Sequence, residues 1–73
     1  MSDARVVKAI NDSIAAYEDQ IKKQLALQYV AFEMMLQSGN TDHALYSLTT
    51  RYKECDRSIG ELRTTIRNLK ANM

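Results

Sequence analysis

The sequence offers few side chains that can do covalent or metal chemistry. It contains one histidine and one cysteine. His43 lies beside Asp42, but a metal site needs further ligands at helical spacing, so we interpret His43 as a solvated residue. Catalysis needs polar groups that converge in a sheltered pocket. The helical chain predicted below offers neither such a pocket nor a cluster of such groups. We therefore predict that the protein is not an enzyme and holds no metal or cofactor.

Cys55 is the second residue with reactive potential. It falls in the same apolar stripe as Leu48 and Leu62, which predicts that it packs as a small apolar side chain. One cysteine cannot form a disulfide within the chain. The alternative is a symmetric dimer in which two copies of Cys55 meet and are oxidised where their geometry permits.

Composition restricts the fold and the class of partner. The chain has 73 residues, no proline and two glycines, and residues that favour helices are abundant. Its formal net charge is +1, with acids and bases interspersed, so no basic surface is expected to attract nucleic acid. No apolar stretch reaches the length of a membrane span, and no signal-peptide layout is present. We expect a soluble, cytoplasmic protein that does not insert into membranes.

Two segments with helical periodicity are separated by one break. The first begins at Ser2 or Asp3, either of which can cap a helix. The break contains residues suited to ending one helix in a left-handed conformation and to capping the next: Gly39, Asn40, Thr41 and Asp42. We predict a single all-α domain over residues 1–73, an antiparallel two-helix hairpin of the coiled-coil type. Its helices cover about 3–37 and 42–72, with a turn at about 38–41.

Each segment carries a seam, meaning a stripe of apolar residues that faces a neighbouring helix. The seam of the second segment alternates steps of three and four without interruption: Leu45, Leu48, Tyr52, Cys55, Ile59, Leu62, Ile66, Leu69 and Met73. The first segment follows the same rule from Val7 to Ile21. There we predict a stutter, after which the seam moves around the helix in steps of four through Leu25 and Tyr29 to Phe32 and Leu36.

The end of the first segment is apolar on more than one side. Leu27, Val30, Met34 and Met35 lie outside a narrow stripe, and one neighbouring helix cannot cover them all. An apolar zone near the turn comprises Tyr29, Phe32, Met34, Met35 and Leu36. One interpretation is that it closes the hairpin core together with Leu45, Tyr46 and Leu48, and the other is that it contacts another molecule. Because a hairpin of this size is weakly stable alone, we expect completion by a helical partner or by a homodimer or tetramer.

Gly60 lies in the middle of the second predicted helix. Glycine there costs about 1 kcal/mol relative to alanine. It is either a tolerated exposed glycine or a point where a partner backbone approaches closely, and the sequence leaves both interpretations open.

The order of features around the turn is typical of one protein family. A helix end runs into a turn with Gly and Asp over residues 34–42, and aromatic and aliphatic residues follow: Tyr46, Leu48, Tyr52, Ile59, Leu62 and Ile66. Over residues 25–69 the chain resembles the small helical-hairpin co-chaperones of the type III secretion needle subunit. Its arm over residues 6–21 is longer than in that family. A needle subunit itself is a less suitable relative, because its turn usually contains proline.

The resemblance implies a bacterial cytoplasmic function in virulence-associated protein transport. With a tetratricopeptide-type chaperone, such a protein keeps the needle subunit soluble before export. The alternative is a self-assembling homo-oligomeric helical bundle that acts as a scaffold or adaptor. A nucleic-acid-binding regulator is disfavoured by the balanced charge. We predict that partners are bound by residues of the turn region and the second seam: Tyr29, Phe32, Met35, Leu36, Leu45, Leu48, Tyr52, Ile59, Leu62 and Ile66.

Overall fold

The protein is an antiparallel hairpin of two long helices. The computed structural model describes residues 3–73, in which α1 runs over Ala4–Met35 and α2 over Asp42–Ala71. The helices pack against each other in a rod with extents of 59 × 14 × 11 Å. This confirms the predicted all-α hairpin. We refer to the end that carries the connection between the helices as the turn end and to the opposite end as the open end.

Each helix begins at a residue whose side chain caps it. The Asp3 carboxylate accepts a hydrogen bond of 2.8 Å from the backbone N–H of Arg5. The Thr41 hydroxyl accepts one of 3.1 Å from the backbone N–H of Ala44. Both side chains satisfy donors that have no partner within the helix. Of the caps considered from the sequence, Asp3 and Thr41 are the ones used, and Ser2 lies outside the described residues.

The turn is built by Gly39 and Asn40. Gly39 has φ = 87°, a left-handed conformation that glycine adopts without steric cost. The Asn40 amide donates hydrogen bonds of 2.9 Å to the carbonyl oxygens of Met34 and Gln37. These bonds satisfy carbonyl groups at the end of α1. The sequence is therefore locally suited to reversing the chain here.

The core lies along the contact between the helices. Its buried side chains, two from α1 and four from α2, are Ile14, Ala31, Leu48, Cys55, Ile59 and Ile66. Half-buried Leu62 and Leu69 complete the stripe on α2, which confirms the register predicted for the second seam from Leu48 to Leu69. Three other residues assigned to that seam are exposed, namely Leu45, Tyr52 and Met73. Cys55 packs as a buried apolar residue, as expected. None of the described side chains is completely excluded from solvent, so one helix pair makes only a thin core.

The stutter predicted after Ile21 is wrong. The buried stripe of α1 continues in steps of three and four through Gln24, Gln28, Ala31 and Met35, all at least half-buried. The residues expected to carry the seam point outward instead, with exposed fractions of 43% for Leu25, 64% for Tyr29, 45% for Phe32 and 67% for Leu36.

The register of α1 persists because its partner seam is uninterrupted. Two helices that coil around each other keep the same heptad stripe inward, and turning α1 so that Leu25 faced inward would leave the apolar stripe of α2 uncovered. Glutamine is tolerated at this contact because its methylene groups can pack while its amide reaches an edge. The Gln28 amide donates a hydrogen bond of 3.3 Å to the backbone carbonyl of Tyr52.

The outer surface carries ion pairs along each helix. Lys8 contacts Asp12 at 2.8 Å and Lys23 contacts Asp19 at 3.3 Å. Hydrogen bonding to Asp12 raises the pKa of Lys8. These pairs are exposed, so each contributes little to stability. No helix within residues 3–73 is long and apolar enough to cross a membrane.

Candidate helix-binding site

The turn-end half of α1 presents apolar side chains on both sides of its buried stripe. On one side lie Leu25, Tyr29, Phe32 and Leu36, which we name the aromatic flank. On the other lie Leu27, Val30 and Met34, which we name the aliphatic flank. All seven are exposed. Because the buried stripe between them contains glutamine and alanine, the apolar character of this half of α1 is mostly on the outside.

The aromatic flank borders a groove shared with α2. The groove has a volume of about 290 Å³ and is lined by Leu25, Gln28, Tyr29, Phe32 and Tyr52. Tyr52 and Leu45, from the seam of α2, are also more than a third exposed at this end. Three aromatic rings and an aliphatic side chain therefore surround one concave surface, which is a composition typical of sites that bind apolar side chains.

The Tyr29 hydroxyl is influenced by a carboxylate of its own helix. Interaction with Glu33, one turn further along, raises the pKa of Tyr29 through hydrogen bonding and the negative charge of the carboxylate. Most of the Tyr29 side chain remains exposed to solvent.

The aliphatic flank borders a second groove on the other side of α1. This groove has a volume of about 390 Å³. Ala31 and Cys55, the buried members of its lining, form the floor, and because both are small they leave space between the helices. The remaining lining residues come from both helices: Gln24, Leu27, Val30, Met34, Arg51, Glu54 and Ser58.

The structure divides the predicted partner-binding residues into two groups. Tyr29, Phe32, Leu36, Leu45 and Tyr52 are exposed near the turn end. The other five lie in the contact between α1 and α2, where Leu48, Ile59 and Ile66 are buried and Met35 and Leu62 are half-buried. While the hairpin is intact, the buried members are already packed against its own helices. Partner binding by the exposed group stays a prediction.

The sequence interpretation did not recognise the aliphatic flank as a separate surface. Met34 was placed in the apolar zone near the turn, and Leu27 and Val30 were recognised only as apolar surface outside the seam. The sequence signal that identifies these three residues as one surface is the regular heptad spacing of α1. Continuing the steps of three and four past Ile21 places these residues together on one side of the stripe, opposite Leu25.

The remaining candidates lie apart from both flanks. His43 is exposed in the first turn of α2, and no group of three or more His, Cys, Asp or Glu side chains within residues 3–73 has a metal-binding arrangement. At Gly60 an added Cβ meets no atom within 4 Å. Packing within the hairpin therefore does not require glycine at position 60. Close approach of a partner backbone to Gly60 stays a prediction.

Comparison of the chain with protein-family models, with curated proteins and with solved structures gave no match. The interpretation of the site therefore rests on the physical chemistry of the residues and on the arrangement around the turn.

Proposed function

We propose that the protein is a helix-binding co-chaperone that covers an apolar helix face of a partner protein. The observation that carries this proposal is the aromatic flank, four large apolar side chains that remain exposed beside a groove at the turn end. Burying such side chains supplies the free energy of binding without any cofactor, at roughly 25 cal/mol for each Å² of apolar surface removed from water.

The spacing of the aromatic flank suits a helix as the ligand. Leu25, Tyr29, Phe32 and Leu36 form a ridge on one side of α1 that extends over roughly 16 Å, or three helical turns. A partner helix with apolar residues at matching intervals can pack along this ridge and contact Tyr52 across the groove. The partner then replaces water on a surface that the hairpin cannot cover itself.

The more specific form of the proposal rests on the resemblance to the needle-subunit co-chaperones. In that form the protein acts in the bacterial cytoplasm with a tetratricopeptide-type chaperone and keeps the type III secretion needle subunit soluble before export. Masking is the relevant mechanism, because a helical subunit that polymerises through apolar faces stays monomeric while those faces are covered. A scaffold built only from copies of this chain is the alternative function.

A direct test is to mix the purified protein and a tetratricopeptide-type chaperone with a needle subunit and follow polymerisation by light scattering. We expect the wild-type protein to delay polymerisation. We expect the double variant Leu25→Ser, Phe32→Ser to lose this effect while keeping its helicity, because both side chains are exposed. If the double variant delays polymerisation as the wild type does, the aromatic flank is not the binding surface.

Leu27→Ser is the matched control for Leu25→Ser. It removes the same side chain from the same helix two positions away, but from the aliphatic flank. We expect this variant to retain the wild-type delay of polymerisation. Loss of the effect in Leu27→Ser alone contradicts the assignment of binding to the aromatic flank.

A second readout separates the co-chaperone from a self-sufficient bundle. A partner that binds only the folded hairpin raises its thermal unfolding midpoint, because it stabilises the folded state by RT ln(1 + [L]/Kd), where [L] is the concentration of free partner. We therefore expect the midpoint to rise when the tetratricopeptide-type chaperone is added. An unchanged midpoint at saturating concentration, together with a discrete oligomer of the chain alone, favours the scaffold.

A further inference from the structure

The aliphatic flank has no part in the proposed function, although it is an equally apolar surface. Leu27, Val30 and Met34 have exposed fractions between 41% and 58%. Across the groove, α2 contributes Arg51 and Glu54, both exposed. Neither takes part in an ion pair with another side chain of residues 3–73. The flank therefore combines an uncovered apolar strip with one positive and one negative side chain, neither of which is held in an ion pair within the described residues.

The order of these charges makes the surface complementary to itself. Arg51 and Glu54 are one helical turn apart on the same side of α2. A two-fold axis that passes between them, perpendicular to the helix, places Arg51 of each copy against Glu54 of the other. Such an isologous contact produces two identical ion pairs, each between opposite charges, from one repeated surface.

The same axis also matches the apolar strip. Two side-chain contacts indicate which parts of α1 and α2 lie side by side: the Gln28 amide bonds the Tyr52 carbonyl, and the Thr49 hydroxyl contacts the Met35 sulfur. The level between Arg51 and Glu54 on α2 therefore falls between Gln28 and Ala31 on α1, within the aliphatic flank. The apolar side chains of one flank then meet those of the other copy.

The positions one turn further out are compatible with the same arrangement. On α2, Ser58 lies opposite Ser47, and neither side chain is large enough to obstruct close packing. No two like charges face each other across the axis among these residues.

We propose that a second copy of this chain occupies the aliphatic flank and forms an antiparallel dimer, a bundle of four helices. Overlap from the turn to residue 21 is roughly 24 Å long, because each residue contributes about 1.5 Å of rise. Two helices are about 20 Å wide, so each copy buries roughly 500 Å². That area lies at the lower end of specific interfaces, and the dimer forms at micromolar concentrations.

The dimer leaves the aromatic flanks uncovered, because they lie on the other side of α1. The assembly then carries two equivalent helix-binding surfaces facing away from its interface. This inference does not depend on the proposed function, since the dimer exists without a partner. A failure of dimerisation also leaves the aromatic flank free to bind a helix.

The test is charge reversal with measurement of molar mass by sedimentation equilibrium from about 1 μM to about 1 mM, the range in which a micromolar dimer dissociates. We expect the wild type to pass from monomer to dimer across this range. Arg51→Glu gives four negative charges at the interface and Glu54→Arg gives four positive charges. We expect each single variant to dimerise at least tenfold more weakly, since two attractive contacts become repulsive.

Restoring opposite charges is the decisive part of the experiment. An equimolar mixture of Arg51→Glu and Glu54→Arg has complementary charges at both contacts, so we expect it to form a heterodimer with near-wild-type affinity. The double variant Arg51→Glu, Glu54→Arg regains both ion pairs and is expected to form a homodimer. Arg67→Glu, an exposed reversal outside the flank, serves as the control and leaves dimerisation unchanged.

Three results overturn the proposal. One is a wild type that stays monomeric throughout the concentration range. Another is a mixture and a double variant that dimerise no better than the single variants. The third is a Leu27→Ser variant that dimerises as well as Leu25→Ser, because only Leu27 lies in the proposed interface. Circular dichroism of each variant establishes that the hairpin remains folded.

Discussion

The two halves of the hairpin use their apolar residues in opposite ways. Toward the open end, Ile14, Ile59 and Ile66 lie buried between the helices. Toward the turn end, the buried stripe of α1 contains Gln24 and Gln28, and its large apolar residues form the two exposed flanks. The same helix thus changes from a conventional amphipathic helix to one whose apolar side chains lie mostly outside its contact with α2.

This difference separates stability from binding. Large aliphatic side chains at the open end remove apolar surface from water within one molecule, which stabilises the hairpin. The flanks at the turn end remain in water, so they contribute little to the stability of the isolated chain and can contribute to association. The following predictions test whether the two halves differ in this way, beginning with the largest expected effect.

Ile59→Asp is expected to unfold the hairpin. Ile59 is the most buried of the described side chains, with 3% of its surface exposed, and an unpaired carboxylate there costs several kcal/mol. A two-helix chain has little stability to lose. Circular dichroism at 222 nm measures the loss of helicity. Leu36→Asp, at an exposed position of the turn end, is the control and should stay helical. Full helicity in Ile59→Asp argues against burial of the second seam.

Truncating one large aliphatic side chain in each half of α1 compares the halves directly. Ile14→Ala is expected to lower the free energy of unfolding by about 2–4 kcal/mol, because it leaves a cavity beside buried neighbours. Leu25→Ala is expected to lower it by less than about 1 kcal/mol, since the leucine is largely exposed. Urea titration followed by circular dichroism measures both. Equal losses would show that the turn end packs as the open end does.

Replacing a glutamine of the buried stripe with leucine should make the turn end resemble the open end. Gln28→Leu loses one side-chain hydrogen bond at the edge of the groove and gains apolar contact. We expect the hairpin to be stabilised by up to about 1 kcal/mol, again measured by urea titration. Destabilisation by this variant would mean that the Gln28 amide is required to hold the helices together.

The smallest expected effect concerns the ionisation of Tyr29. Its hydrogen bond to Glu33 raises its pKa above the ordinary value of 10.0. Since the pKa is raised in the folded state, the contribution of this bond to stability is present below pH 10 and disappears as pH rises through the raised pKa. Tyrosinate absorbance, taken as the difference between wild type and Tyr29→Phe, measures the midpoint. Glu33→Gln should lower it, and an unchanged midpoint would exclude the contact.

The sequence predicts the hairpin because its local signals agree. Asp3 and Thr41 cap the helices, Gly39 supplies the left-handed turn residue, and the stripe from Leu48 to Leu69 has a regular period. Each of these signals depends on neighbouring residues alone. The helices observed end within one or two residues of the predicted limits, as expected where helix ends fray.

Which residues of α1 face α2 at the turn end could not be predicted from such local signals. The prediction followed the apolar residues from Ile21 to Leu25, whereas the structure follows the geometry of the partner helix to Gln24. Which face of α1 points inward is decided by packing along all of α2, a property of both helices together. The division of the candidate site into two flanks depends on that choice, so it becomes visible only in the folded hairpin.

The central claim is that the flanks at the turn end face solvent in the monomer while the open-end seam does not. Methyl NMR relaxation with a soluble paramagnetic agent, recorded on the Arg51→Glu variant at a concentration where sedimentation shows a monomer, tests it directly. We expect strong relaxation of the methyl groups of Leu25, Leu27 and Val30, and weak relaxation of those of Ile14 and Ile59. Equal protection of Leu25 and Ile14 would contradict the account, since it would place the predicted stutter back in the core.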